Sequence, residues 1–370
     1  MPKEDFLGLE SVAHLAAGGE TPPLRSHADI VSRFFALKAK GYEGRKQQFQ
    51  LVASAKERLG ELVGMTAGDV ALVASASTAV NMLTTTLEWR PGDNVVMQDL
   101  EYPGVVYPWV RLRRLGVEIR VVRHLNWDVP TRAMIDAIDS RTRVVAISQV
   151  SYLTGVRHDI ESISVAAHSR GALLLMDSSH AAGVVPVPAS LADFTTFCCY
   201  KFMLAVHGIG VCVWNRARVP SWTPLEVGWA STVGHAPIDS RLVYTLKHDA
   251  GRLEVGNPSV IGAHILGHAT TYLLGHGIGE IEAHVLRLGA LLRDGLASLG
   301  VEVMTPTDPM RRAASICFRA DRADELRREL EQDGVLVWAD EGRIRCSLHG
   351  YVDDEDVDRC VRAVKRALQR

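Results

Sequence analysis

The stretch Leu173-Leu174-Leu175-Met176-Asp177-Ser178-Ser179-His180, followed by Phe194-Thr195-Thr196-Phe197-Cys198-Cys199-Tyr200-Lys201, decides the fold. Each is a short apolar run that ends on ionisable side chains. Runs of this length, rich in branched and aromatic residues, read as buried strands with polar groups at their carboxyl ends. Working outward, the same theme recurs between about residues 70 and 215. The candidate strands are Val70 to Ser75, Asn94 to Asp99, Glu118 to Arg123, Arg143 to Val150, Ala172 to Ser178, Phe194 to Tyr200 and Gly208 to Trp214. Most are nearly continuous apolar runs, as strands covered on both faces must be. Helical stretches such as Ala55 to Val63 and Ile160 to His168 fall between them, with lengths that suit crossovers in a largely parallel sheet. The class is therefore α/β, with ligands expected at the carboxyl ends of the strands. Beyond residue 250 the pattern changes to one long amphipathic helix, roughly Val260 to Leu299, then strand, helix, strand, strand and helix, which predicts a smaller α+β domain.

The chain has 370 residues, 47% of them hydrophobic, enough for a sizeable core. Its 41 basic and 43 acidic side chains nearly cancel, leaving no electrostatic footprint for nucleic acid or an anionic membrane. The segment Met1 to Glu10 is charged, and no apolar run reaches the roughly 18 residues of a spanning helix. A cytoplasmic location is the expectation. The six cysteines, Cys198, Cys199, Cys212, Cys317, Cys346 and Cys360, form no CxxC pair and predict neither disulfides nor a zinc ribbon. The spacing His264-x-x-x-His268 lacks the glutamate of a His-Glu-x-x-His metal motif and reads as a pair on a helix surface, so no metal is expected.

If the two strands of the opening stretch are neighbours, Asp177 and Lys201 project into one crevice, where an acid and an amine hold opposite ends of a small aromatic ring. Pyridoxal 5'-phosphate needs that arrangement: its aldehyde takes a lysine amine, and a carboxylate keeps its ring nitrogen protonated so that the ring accepts electrons. Here the chain resembles the class V aminotransferase family of fold-type I pyridoxal phosphate enzymes, which includes cysteine desulfurases, selenocysteine lyases, kynureninases and isopenicillin N epimerase. The resemblance covers nearly the whole chain, and Asp177, Lys201 and Arg345 are its most specific part. It implies a mostly parallel seven-stranded sheet with helices on both faces, a large cofactor-binding domain over residues 20–250, and a small domain from residues 1–19 and 251–370.

Residue by residue, the resemblance makes Lys201 the Schiff-base lysine, Asp177 the partner of the pyridine nitrogen and His180 that of the ring oxygen. The usual Ser-x-His before the lysine is replaced by Cys198, Cys199 and Tyr200, so Tyr200 is the remaining hydrogen-bond donor there. The phosphate cup falls at Ser75-Ala76-Ser77-Thr78-Ala79-Val80-Asn81, without the family's glycine; Ala76 supplies an amide and Ser77 a hydroxyl at a helix start. Glu101-Tyr102-Pro103 supplies the stacking ring, Tyr102, while Tyr107 and Trp109 read as packing residues. Tyr152 replaces a substrate-contacting asparagine. Arg345, in Arg343-Ile344-Arg345-Cys346-Ser347, is the fork for the substrate carboxylate, and Asn257 reaches the partner's phosphate in a homodimer. Tyr152, Trp338 and the segment around His14 to Glu20 are candidates for shaping the substrate end.

The substrate is then an amino acid, deprotonated at Cα by the freed Lys201. The segment Val335 to Arg343 carries no cysteine to accept sulfur, and Cys346 alternates away from the site, so persulfide-forming desulfuration is set aside. The leading expectation is β-elimination, a carbon-sulfur lyase reaction on cysteine or a conjugate. An aminotransferase, an epimerase and an inactive binding module are the alternatives.

Overall fold

The computed structural model describes residues 1–234 and 243–369. Its strands are β1 (Ala13–His14), β2 (Val70–Val73), β3 (Asn94–Gln98), β4 (Glu118–Val122), β5 (Thr142–Ser148), β6 (Leu173–Asp177), β7 (Phe194–Cys198), β8 (Gly210–Trp214), β9 (Ser315–Arg319), β10 (Val335–Leu336), β11 (Trp338–Asp340) and β12 (Arg343–Ser347). Its helices are α1 (His27–Lys38), α2 (Gly41–Val63), α3 (Ala76–Thr86), α4 (Pro103–Val110), α5 (Thr131–Asp136), α6 (Ile160–Ser169), α7 (Val260–His276), α8 (Ile278–Ser298), α9 (Ala323–Gln332) and α10 (Asp354–Leu368).

Seven strands form one sheet in the order β2-β8-β7-β6-β5-β3-β4. Only β8 runs against its neighbours, so the sheet is mostly parallel. Apart from Arg143 and Leu173, every residue of β5, β6 and β7 is buried because the sheet is covered on both faces. In this order β5, β6 and β7 lie side by side, and the register pairs Ser148 with Asp177 and Asp177 with Thr196. The ends of these strands therefore open on one crevice.

A three-stranded antiparallel sheet, β11-β12-β9, carries the C-terminal residues of interest. The β11–β12 hairpin turns through Glu341 and Gly342, both left-handed (φ 50° and 72°), the pairing a two-residue turn needs to match strand twist. On β12, Arg343 and Arg345 share one face, while Cys346 faces the other way, 3.9 Å from Cys360.

Three local expectations are corrected. The single helix expected over 260–299 is two helices, broken at Gly277, whose φ of +78° only glycine adopts without strain. As a result α7 packs on α1 and α2, and α8 on α10 and β9. His264 and His268 are not a surface pair: His264 is buried with Nε2 3.1 Å from the Gln48 carbonyl, and His268 Nε2 is 2.7 Å from Ser26 Oγ. Both serve interhelical contacts. Trp109 is fully buried, whereas Tyr107 points to solvent rather than packing.

Candidate active site

Asp177 and Lys201 are both buried and line one cavity with Ser77, Tyr102, Tyr152, His180, Cys198 and Tyr200. Asp177 ends β6, and its Oδ1 accepts a 2.7 Å bond from the Ser179 amide in a tight turn. Burial raises its carboxyl pKa, opposed by the Ser179 bonds and by the Lys201 ammonium. Lys201 lies just past β7. Its carbonyl accepts from Thr21 Oγ1 at 2.9 Å and from the Leu204 amide at 3.0 Å, which locks the turn and leaves the amine aimed inward.

Lys201 Nζ lies 3.2 Å from His180 Nε2 and 5.3 Å from the centre of the Tyr102 ring. His180 is held neutral, its pKa well below the ordinary value through burial and the neighbouring cations Lys201, Arg345 and Arg343. Its Nδ1 is buried without a partner among the described residues, so the ring has an unused polar atom at the base of the cavity. Tyr102 is 42% exposed and forms the open side, meeting Tyr152 edge to face at 5.1 Å. Tyr200 stacks on His207 at 3.8 Å, with Cys198 beside it in the wall.

The cup lies at the start of α3, where Ser75 rather than Ser77 caps the helix. Ser75, in extended backbone, is the N-cap: its Oγ accepts from the Thr78 amide at 3.1 Å, an arrangement worth about 1 kcal/mol. The Ser77 hydroxyl is thereby left for a ligand, beside the amides of the first helical turn. Gly210 backs this turn. A Cβ there would lie 2.7 Å from the Ser75 carbonyl carbon and 2.8 Å from the Ala76 nitrogen, so a glycine at the start of β8 is what lets the cup sit where it does.

From the small sheet, Arg345 reaches the same place. It is 3% exposed, its Nη1 donates to the Tyr152 carbonyl at 2.9 Å, and its Nε has no partner among the described residues. Burial lowers its pKa to about 10. Tyr152 is gripped further: its hydroxyl donates to Glu341 at 3.0 Å, and the Arg343 guanidinium sits 5.2 Å over its ring. The N-terminal segment completes the enclosure. A Cβ on Gly18 would come within 2.5 Å of Ser347 Oγ, 3.1 Å of Arg345 Nε and 3.3 Å of His180 Cε1, and one on Gly19 would strike Trp338.

The structure thus brings Lys201, Asp177, His180, Ala76, Ser77, Tyr102, Tyr152, Tyr200 and Arg345 together. It does not bring Asn257, which is exposed and lines a separate cleft with Arg45, Trp229 and Lys247. Ser75, Ser148, Ser179 and Thr21 were not anticipated, whereas Gly18 falls in the His14 to Glu20 segment expected at the substrate end. The Ser75-x-x-Thr78 capping pattern was a readable signal for the first; the contacts of Gly18 and Thr21, made across 160 or more residues of chain, had none.

These residues fit pyridoxal phosphate. A buried carboxylate and an amine line one cavity with an aromatic ring and a hydroxyl-bearing helix start, and a buried imidazole nitrogen without a partner among the described residues remains for a polar atom of the ring.

Comparison with known proteins agrees. The aminotransferase class-V family model matches residues 32–363. A probable cysteine desulfurase of Methanothermobacter thermautotrophicus is 26% identical, over 96% of this chain and 94% of the relative. The apo cysteine desulfurase of Thermococcus onnurineus superposes with a TM-score of 0.90 at 19% identity, covering 99% of this chain and 97% of that one. The cystine C-S lyase C-DES, solved with cysteine persulfide, superposes at 0.88 with 19% identity, covering 97% and 99%. The seven-stranded fold and the match across nine-tenths of its length place this chain in the aminotransferase class-V family.

Proposed function

We propose that this chain is a pyridoxal phosphate-dependent carbon-sulfur lyase acting on cysteine or a cysteine conjugate. The observation that carries the reading is the convergence of Lys201, Asp177 and His180 on one cavity, with Arg345 held beside it on the Tyr152 carbonyl, in a fold whose relatives bear cysteine desulfurase and C-S lyase names. When bound, the cofactor supplies an electron sink for the pair left at Cα. Asp177 would hold the protonated ring nitrogen, His180 would meet the ring oxygen, Tyr102 would cover the ring, and the Ser77 hydroxyl and Ala76 amide would take the phosphate. Arg345 fixes the substrate carboxylate, which turns the Cα proton toward Lys201 Nζ.

The fate of the sulfur follows from where the thiols are. All six cysteines are free and buried, and residues 335–342 are occupied by β10, β11 and their turn, with Trp338 beside Arg345. Cys198 lines the cavity, but burial raises its pKa and keeps it a thiol, and no cysteine lies in residues 335–342, so the sulfur leaves on a small molecule rather than on the enzyme.

Homodimerisation belongs to the same proposal. Tyr42, Leu225, Trp229 and Tyr244 are large and exposed, and Asn257 lies in the cleft beside Trp229, clear of its own chain's cavity. The lobes are a cofactor lobe from about residue 20 and a small lobe that includes residues 1–19. The cofactor lobe runs to residue 250 and the small lobe takes in residues 251–370, with α7 of the latter packed on α2 of the former. The unpaired thiols favour a reducing, cytoplasmic location, and no helix among the described residues is long and apolar enough to cross a membrane.

The test is the visible spectrum of purified protein with pyridoxal phosphate, then pyruvate and thiol release from a panel of amino acids and cysteine conjugates. A Lys201-dependent band with both products supports the lyase. Conversion to the pyridoxamine form, reversed by a keto acid, replaces it with a transaminase.

A further inference from the structure

Glu101, just before the covering ring of Tyr102, takes no part in the mechanism above. It is 6% exposed, and its carboxyl accepts from the Ser148 amide at 2.8 Å, the Ser148 hydroxyl at 2.5 Å and Gln98 Nε2 at 2.8 Å. All three donors are neutral. Ser148 lines the cavity and stands in register opposite Asp177, so the two carboxyls are one residue apart across neighbouring strands.

We propose that Glu101 is a second acid of the cofactor site, protonated when the cavity is empty and ionised when a cationic pyridinium ring docks on Asp177. This inference rests on the cofactor reading above. A buried carboxylate with no cation at hand, beside another carboxylate, is costly to ionise. Burial accordingly raises its pKa to about 7, with Asp177 adding in the same direction.

The surrounding elements offer no compensating charge. Beyond Gln98 lies His158, 2.9 Å away, itself buried and held neutral with a pKa of about 3; Arg311, which faces His158, is paired with Asp128 at 2.8 Å. Lys201 acts on Asp177. A pyridinium at Asp177 supplies the missing positive charge and draws Glu101 to its anionic form. The acid form donates its proton to the Ser148 hydroxyl; on ionisation that proton is released to solvent and the hydroxyl turns to donate to the carboxylate. By linkage, the ionised Glu101 holds the ring proton more firmly in return.

The test is calorimetric titration of pyridoxal phosphate into cofactor-free protein at pH 7, in buffers of different ionisation enthalpy, for the native protein and E101Q. The native protein releases roughly half a proton more than E101Q, the fraction a group half-protonated at pH 7 has to give. Equal proton counts overturn the proposal. Because E101Q replaces one acceptor oxygen by a donor amide and can weaken the fold, the native protein with ¹³C-labelled glutamate gives a second readout. Its protonated-glutamate infrared band at pH 6.5 falls on loading; an unchanged band overturns the proposal. Failure to form a Lys201-bound visible band refutes the functional reading instead, so the two failures are distinguishable.

Discussion

Replacing Arg345 by alanine removes the fork that meets the substrate carboxylate. One of its donors, Nη1, is already committed to the Tyr152 carbonyl at 2.9 Å, while Nε is buried without a partner among the described residues. Two N–H groups, Nε–H and one on Nη2, therefore remain for the substrate. Charge-assisted bonds contribute about 1.5–3 kcal/mol each, so the pair amounts to about 3–6 kcal/mol. At about 1.36 kcal/mol per factor of ten, kcat/KM falls by roughly 10²–10⁴. Lysine keeps the charge without the fork, and R345K loses on the order of 10–100-fold. Steady-state pyruvate release from cysteine conjugates reads both variants. The fold should not suffer, because burial already works against this cation and lowers its pKa to about 10; R345M melts no lower than the native protein. Two results refute the reasoning: R345A within about threefold of the native kcat/KM, or an equal loss on a substrate whose carboxylate is replaced by an amide.

Substitution of Lys201 by alanine abolishes the visible band of the bound cofactor and turnover together, checked by absorbance and pyruvate assay. A valine at Gly210 drives carbon into the Ser75–Ala76 backbone, which lies 2.7–2.8 Å from even a bare Cβ; equilibrium titration shows weaker pyridoxal phosphate binding, and cofactor-free melting shows a smaller loss. Loss of the Ser77 hydroxyl in S77A weakens cofactor binding by about 1 kcal/mol, several-fold in Kd, because one hydrogen bond to the phosphate goes while the helix amides stay. The Glu101 pKa is raised from 4.5 to about 7, so the folded cofactor-free protein holds a proton the unfolded chain has lost. That contribution, about 3 kcal/mol, is complete below pH 4.5 and is lost as pH rises through 7. Buried His158 and His349, with pKa values near 3 and 4, act in the opposite sense, as stability lost when pH falls, so the measurement is the difference between native and E101Q urea-denaturation curves from pH 5 to 8. A difference independent of pH refutes it.

The order of strands, the parallel sheet and the Asp177–Lys201 pair were legible in the sequence because each depends on short-range pattern. An apolar run says strand, its polar end says where a ligand can sit, and the helical spacing between runs leaves a crossover as the natural connection. Arg345 was legible through the resemblance of Arg343 to Ser347 to the family's arginine-bearing strand, and alternation along β12 turned Cys346 away from it. Gly277 was visible as a glycine, but its helical neighbours on both sides carried the spacing through it; only the packing of α7 on α2 and of α8 on α10 called for the break.

What tertiary structure alone decided lies far apart in the chain. Gly18 against Arg345, Thr21 against Lys201 and Tyr152 against Glu341 join segments 180 to 327 residues distant, and no local periodicity encodes such a contact. Burial behaves the same way. Glu101 and Glu341 are the same residue type, yet one is sealed beside Asp177 and the other stands at the surface holding a tyrosine. A side chain's charge state depends on the three-dimensional arrangement of solvent and neighbours around it. The sequence by itself therefore determined which groups were present and at which ends of which strands they stood, while the fold decided which of them water still reaches.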